Sequence, residues 1–315
     1  MSRVRCQAGE SGSSSGFDEL KQQSLCLISK ALSQSTQAVY RRAWDQYIKF
    51  ASSHSLKVAL PIPVQDIVCF ITSLYNKGLP ASTISSVLSG ISYFHKIQPL
   101  PVYDPTHHFT VTQLRLAIRK ERPTVDCRRP ITESILFAIF DTLEKFHLPV
   151  YEVWLFRSMF LFMFYFGLRI GEVTKSEHII LRHQVKLHAS KLTLSFSSYK
   201  HAPLQPFSHT LQANASVYCT VSTLRRYLSM RGSDPGPLFL LQGKALLQAA
   251  LSRRLREVLD RAGIDSTNIS SHSFRIGAAS FWAGRGMNEE TIMRLGRWQS
   301  SAWKKYLRHD INHVS

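Results

Sequence analysis

A mainly α-helical protein with a small antiparallel β-sheet, divided into two domains, is what three features of this sequence predict. Apolar residues recur at helical spacing over most of the chain, the period drops to two over one short stretch, and a basic, proline-bearing segment interrupts the pattern near residue 125. A length of 315 residues suits two domains at roughly 100 to 200 residues each. With 44% hydrophobic and 11% aromatic residues the chain has enough apolar surface to offset chain entropy, which excludes wholesale disorder.

Taken in order, residues 1–32 open on the Gly/Ser run from Gly9 to Gly16 and read as a flexible leader. Tyr40, Ala43, Trp44, Tyr47, Ile48 and Ala51 then predict an amphipathic helix behind a Ser/Thr cap. Further helices are expected from Pro63 to Asn76, from Ser82 to His95 and from Val111 to Lys120, so residues 33–122 form one helical domain. The linker 123–130 holds two prolines and little to bury. In the second domain, 131–315, Thr132 caps a helix to Phe146, and an apolar helix from Tyr151 stops at Gly167, with Phe160, Phe162, Phe164 and Phe166 as core. Val185, Leu187, Leu192, Leu194 and Phe196 alternate with polar residues as strands do, and Leu204 to Leu211 is a third strand candidate. Helical spacing resumes at Val221–Met230, Leu246–Arg261, Ser273–Gly284, Glu289–Leu295 and Ala302–Leu307. No solenoid-like repeat is present.

Charge narrows the partner. Lys and Arg number 39 against 21 Asp and Glu, a formal +18 shared by both halves, which points to a polyanion gripped from two sides. Arg41, Arg42 and Lys49 on the first helix, and Arg122, Arg128 and Arg129 around the linker, are the cations placed to face it; for the first three a solvated helix face is the alternative. Five cysteines without a CxxC pair indicate neither a disulfide framework nor a zinc ribbon, and the spacing of His178, His183 and His188 fits neither one helix face nor one strand face. No metal or other cofactor is expected. The most apolar stretch, Ser158 to Leu168, is shorter than the roughly 20 residues a bilayer demands. With no apolar h-region at the N-terminus, the expected setting is intracellular and reducing.

Chemistry enters with Ser271-His272-Ser273-Phe274-Arg275, which sets an imidazole and a guanidinium on one helix face. Trp298 follows in Leu295-Gly296-Arg297-Trp298, then Tyr306 in Lys304-Lys305-Tyr306, and upstream stands Gly167-Leu168-Arg169-Ile170-Gly171-Glu172. A tyrosine hydroxyl can attack a phosphodiester and store the bond energy in a covalent intermediate. Two guanidiniums can neutralise the equatorial oxygens of the transition state with planar bidentate donors. His272 can take the phenol proton or hydrogen-bond the phosphate, Trp298 can donate its indole N–H, and a lysine can protonate the leaving oxygen. Glu172 is expected to orient a basic neighbour or hold a helix.

In that order these segments resemble the tyrosine recombinases, or phage integrases, over about residues 33 to 309. Gly167 to Glu172 is similar to the GLRxxE turn, Lys200 to the hairpin lysine, His272 and Arg275 to HxxR, Trp298 to the His/Trp position and Tyr306 to the nucleophile. The resemblance implies a two-domain fold, a helical core-binding domain plus an α+β catalytic domain, and catalytic roles for Arg169, Lys200, His272, Arg275, Trp298 and Tyr306. It implies double-stranded DNA as substrate, a dimer or tetramer on that DNA, and no cofactor. The Gly296-Arg297-Trp298 form looks most like recombinases of eukaryotic DIRS and Crypton elements, which implies a nuclear setting. Either Trp298 or Arg297 faces the phosphate, Arg297 otherwise being a DNA-facing cation, and Lys191 is the alternative to Lys200. A domesticated, catalytically inactive DNA-binding protein is the competing function. A type IB topoisomerase shares the chemistry but not the separate helical domain.

Overall fold

The computed structural model describes residues 16–98, 102–123, 126–196 and 207–307. The chain divides into two compact units, Met1–Asp126 and Cys127–Ser315. Among the described residues the first unit is entirely helical: α1 (Gly16–Lys30), α2 (Gln34–Ser53), α3 (Val64–Asn76), α4 (Ala81–Lys96) and α5 (Phe109–Glu121). Residues 16–30, expected in the leader, form α1, because Leu20, Leu27 and Ile28 follow helical spacing past the last glycine; that apolar edge is exposed. Ser33 caps α2 by accepting the Thr36 N–H at 3.3 Å, which satisfies one of the orphan donors of a helix start. Tyr47, Phe70, Ile71, Ile84, Ile91 and Val111 fill the centre of this unit, each nearly inaccessible.

The second unit is built around one helix. Its elements are α6 (Glu133–Lys145), α7 (Val150–Tyr165), the single turn α8 (Ile170–Val173), a three-stranded sheet, α9 (Thr220–Arg231), α10 (Gln248–Arg261), α11 (Ser273–Gly284) and α12 (Glu289–Gly296). A 3₁₀ turn, Ser301–Tyr306, stands where an α-helix is expected. Every residue of α7 from Leu155 to Phe164 is buried, as a helix apolar on all sides must be. α6 packs on one side of it, with its Thr132 cap accepting from Ile135 N at 3.2 Å. α9 and α11 cover others, Phe160 stacking on Phe274 at 5.4 Å.

Contact between α7 and α11 is close because residue 277 is glycine. A β-carbon there would stand 1.9 Å from the Ile131 carbonyl oxygen and 3.0 Å from the Phe164 ring. The sheet is antiparallel in the order β1 (Val185–Leu187), β2 (Lys191–Phe196), β3 (Phe207–Gln212), with Leu194 opposite Val185 and His209. Alternation works as the sequence reads: Leu192, Leu194 and Phe196 are buried, while Thr193 bonds Thr210 at 2.8 Å and Ser195 bonds Ser208 at 2.9 Å on the outer face. No described helix is long and apolar enough to cross a membrane.

Candidate active site

The end of α7 sets the site. Gly167 turns the chain with φ +55°, a conformation glycine adopts without penalty, and this exposes the Phe166 and Gly167 carbonyls at the negative pole of the helix. The turn delivers Arg169 to the start of α8. Glu172, one turn later and 4% exposed at its side chain, reaches back so that its Oε2 accepts the Arg169 N–H at 2.7 Å. Its other oxygen lies 3.6 Å from Arg169 Nη1, a buried nitrogen with no hydrogen-bond partner among the described residues. Glu172 thus orients a basic neighbour, as expected.

Arg275 enters from the first turn of α11 and is 2% exposed. Nη1 donates to Gly167 O in a short contact, and Nη2 donates to Gly296 O at 2.9 Å. Two helix C-termini therefore satisfy part of its fork, and their dipoles stabilise a buried cation there. Burial first, and then Arg169 and Arg297 alongside, pull this guanidinium down from the ordinary arginine range to about 9, which leaves it charged at neutral pH.

Trp298 covers Arg275, the guanidinium carbon lying 4.6 Å from the ring centre. The same indole lies 5.8 Å from the Tyr306 ring, and His272, just ahead of α11, stands edge-on to Tyr306 at 5.0 Å. Ser280 on α11 ties the Tyr306 carbonyl at 3.2 Å, fixing the 3₁₀ turn against the helix that carries Arg275. Arg169, His272, Arg275, Trp298 and Tyr306 are thus brought together by the ends of α7, α11 and α12. Arg128 joins them, 5.8 Å over the Tyr306 ring, and Arg129 lies on the same unit, 3.7 Å from Asp265.

Other expected residues fall elsewhere. Arg297, expected either at the phosphate or among the DNA-facing cations, is not on the surface: its side chain is 1% exposed and paired with Glu172 at 2.8 Å. A left-handed backbone at the end of α12 aims it inward, and Trp298 takes the outward position. Lys200 lies outside the described residues, while Lys191 is exposed at the start of β2. Arg41, Arg42 and Lys49 are exposed on α2. Arg122 stacks on Tyr75 at 3.8 Å and donates to its carbonyl at 3.0 Å.

The first unit also holds a cationic feature that reading the sequence missed. Arg115, Lys96 and His107 surround an open cavity of about 330 Å³ with Tyr40, Tyr93, Ser85 and Ser89. Beside it the first turns of α4 expose small residues, Ser82, Thr83, Ser86 and Ser89, with Lys96 exposed at the helix end. The serine spacing on α4 was the available signal, since short hydroxyl side chains on one helix face allow a polyanion close approach.

Residues 25–98 match the phage integrase N-terminal SAM-like domain family. No curated protein matches the chain by sequence. Among solved structures it is similar to the XerH site-specific recombinase bound to a palindromic difH substrate, with TM-score 0.62 and 16% identity over 90% of this chain and 78% of that one. It is similar to a lambda integrase dimer bound to a COC′ core site, with TM-score 0.59 and 16% identity over 95% and 79%. The Tn1549 transposon integrase with transposon right end DNA gives TM-score 0.57 and 13% identity over 88% and 90%. At such identities the likeness is one of fold. The chain therefore has the tyrosine recombinase fold, mostly helical with a small three-stranded antiparallel sheet, and carries a phage-integrase SAM-like domain in its first unit.

Proposed function

We propose that this chain is a site-specific DNA recombinase or integrase that cleaves and rejoins strands through a 3′-phosphotyrosine at Tyr306. The observation that carries the reading is the meeting of three separate sequence motifs at one ring: His272 at 5.0 Å and Trp298 at 5.8 Å from Tyr306, with Trp298 lying on Arg275. In the proposed step the Tyr306 oxygen bonds to phosphorus as the phosphorus to O5′ bond breaks. The phenol proton passes to His272, and the departing O5′ takes a proton from Lys200. Arg275, whose plane is fixed by two carbonyls, and Arg169, whose Nη1 is ion-paired with Glu172 and makes no hydrogen bond among the described residues, neutralise the non-bridging oxygens. All positive charge in this scheme comes from side chains, so cleavage proceeds without a divalent metal.

Double-stranded DNA as partner is supported by the +18 charge and by the DNA in the similar structures. A dimer or tetramer on DNA follows the lambda integrase dimer and tetramer structures. The Gly296-Arg297-Trp298 form supports an affinity with DIRS and Crypton elements and a nuclear site of action.

A nicked suicide duplex carrying the target site tests the reading. Wild-type protein should form a covalent adduct that survives chelator, and Tyr306→Phe should form none while binding DNA within about twofold, since one hydroxyl adds little to an interface dominated by phosphate contacts. DNA binding without any adduct from the wild type would instead mark a domesticated DNA-binding protein.

A further inference from the structure

Arg297 sits in the left-handed region, φ 54° and ψ 48°, at the end of α12, where glycine is the usual residue. An arginine there bears a steric cost, and its contacts show what offsets it. Nη2 meets Glu172 Oε2 at 2.8 Å and Gly167 O at 3.3 Å. Nη1 meets Phe166 O at 3.2 Å and Leu295 O at 3.4 Å, and the guanidinium carbon lies 4.2 Å over the Phe196 ring at the end of β2. Two of these partners bear on another arginine. Glu172 Oε2 also holds the Arg169 N–H, and Gly167 O also holds Arg275 Nη1. Arg297 thus meets the groups that orient both guanidiniums of the site. Lysine could pair with Glu172 but could not fork to two carbonyls and lie flat on Phe196 at once.

We propose that Arg297 is a positioning residue for strand cleavage. It holds the Glu172 carboxylate and the Phe166 and Gly167 carbonyls in one arrangement, and so fixes the geometry of Arg169 and Arg275 relative to each other. The proposal rests on the cleavage reading above.

The test uses the full chain as wild type, Arg297→Lys, Arg297→Met and the uncharged pair Arg297→Met with Glu172→Gln, which leaves no buried charge alone if the single variants fold poorly. Arg275→Ala is the reference. The first readout needs no activity: hydrogen exchange in DNA-free protein. Protection of the Arg169 amide should fall at least tenfold in Arg297→Lys while α7 and α9 keep theirs.

The second is single-turnover adduct formation on nicked duplexes with either a phosphodiester or an uncharged methylphosphonate at the scissile position. Arg297→Lys should lose about 10²-fold on the phosphodiester, as a small misplacement of catalytic groups does. The loss should shrink to a few fold on the methylphosphonate, as for Arg275→Ala, because less charge then needs neutralising. Equal losses on the two substrates, or unchanged Arg169 protection, overturn the positioning role. A wild type that forms no adduct overturns the cleavage reading, and the exchange result still decides whether Arg297 organises Arg169.

Discussion

At the scale of single residues, the motifs were legible because each is local, whereas their directions were not. His272, Arg275, Trp298 and Tyr306 lie against one another in the second unit, and Arg169 stands near Arg275. Nothing within Leu295-Gly296-Arg297-Trp298 says which of two neighbours turns inward, since the choice is made by Glu172 and Phe166, more than a hundred residues upstream. His209 on β3 escaped notice for the same reason: its neighbours are Phe166 and Trp282. Burial, and then the charges of Arg297 and Arg294, hold His209 down from the usual imidazole range to about 4. Between about pH 6.5 and 4 the unfolded chain takes up a proton on this ring and the folded protein does not, so this contribution to stability is complete above that window and lost as pH falls through it. His209→Leu should therefore remove about 2 kcal/mol of the wild-type loss in stability between pH 7 and pH 5, measured by urea unfolding at each pH. If both proteins lose the same amount, His209 titrates normally. Lys200 is tested by chemistry. Lys200→Ala should slow cleavage about 10²- to 10⁴-fold on ordinary DNA, yet cleave a 5′-bridging phosphorothiolate at close to the wild-type rate, because a thiolate leaves without a proton. Equal impairment on both substrates would shift attention to Lys191.

At the scale of elements, periodicity served well wherever burial was one-sided. α2 to α6 and the alternating β2 lie close to where hydrophobic spacing puts them, because a stripe of period 3.6 or 2 has few ways to be buried. α1 was hidden by the glycines and serines ahead of it, and the Ser301–Tyr306 turn is tightened to 3₁₀ while Ser280 holds its last carbonyl. What spacing cannot reveal is how closely two elements approach. Gly277 lets α11 lie against the segment at Ile131, whose N–H donates to Ser273 O at 3.0 Å. Gly277→Ala should force α11 outward and cost about 1–3 kcal/mol. Since Arg275 rides on the same helix, adduct formation should fall further than stability alone explains; chemical unfolding and the suicide duplex, run on the same preparation, check both effects. A variant with wild-type stability and activity would mean the helix yields without consequence.

At the scale of the whole molecule, the division into two compact units was readable from the linker chemistry, and the +18 charge behind the proposed polyanionic partner likewise needs no tertiary information. Affinity for duplex DNA should fall steeply with salt, with a log–log slope of several units at about 0.9 per phosphate neutralised. Fluorescence anisotropy between low and moderate salt would show it, and an affinity indifferent to salt would be incompatible with a phosphate-driven interface. The bonds that build the site also have a history in time. Arg275 reaches back 108 positions to Gly167, and Arg297 reaches 125 to Glu172 and 131 to Phe166. Closures over such spans come late in folding, after α7 has found its local neighbours. During synthesis, a chain that has emerged as far as α10 already holds Arg169 and much of its core but lacks Arg275, Arg297 and Tyr306. On the proposed reading, a growing polypeptide therefore passes through a stage that carries the basic first unit and lacks the nucleophile, and any cleavage competence arrives only with the segments that clamp the end of α7.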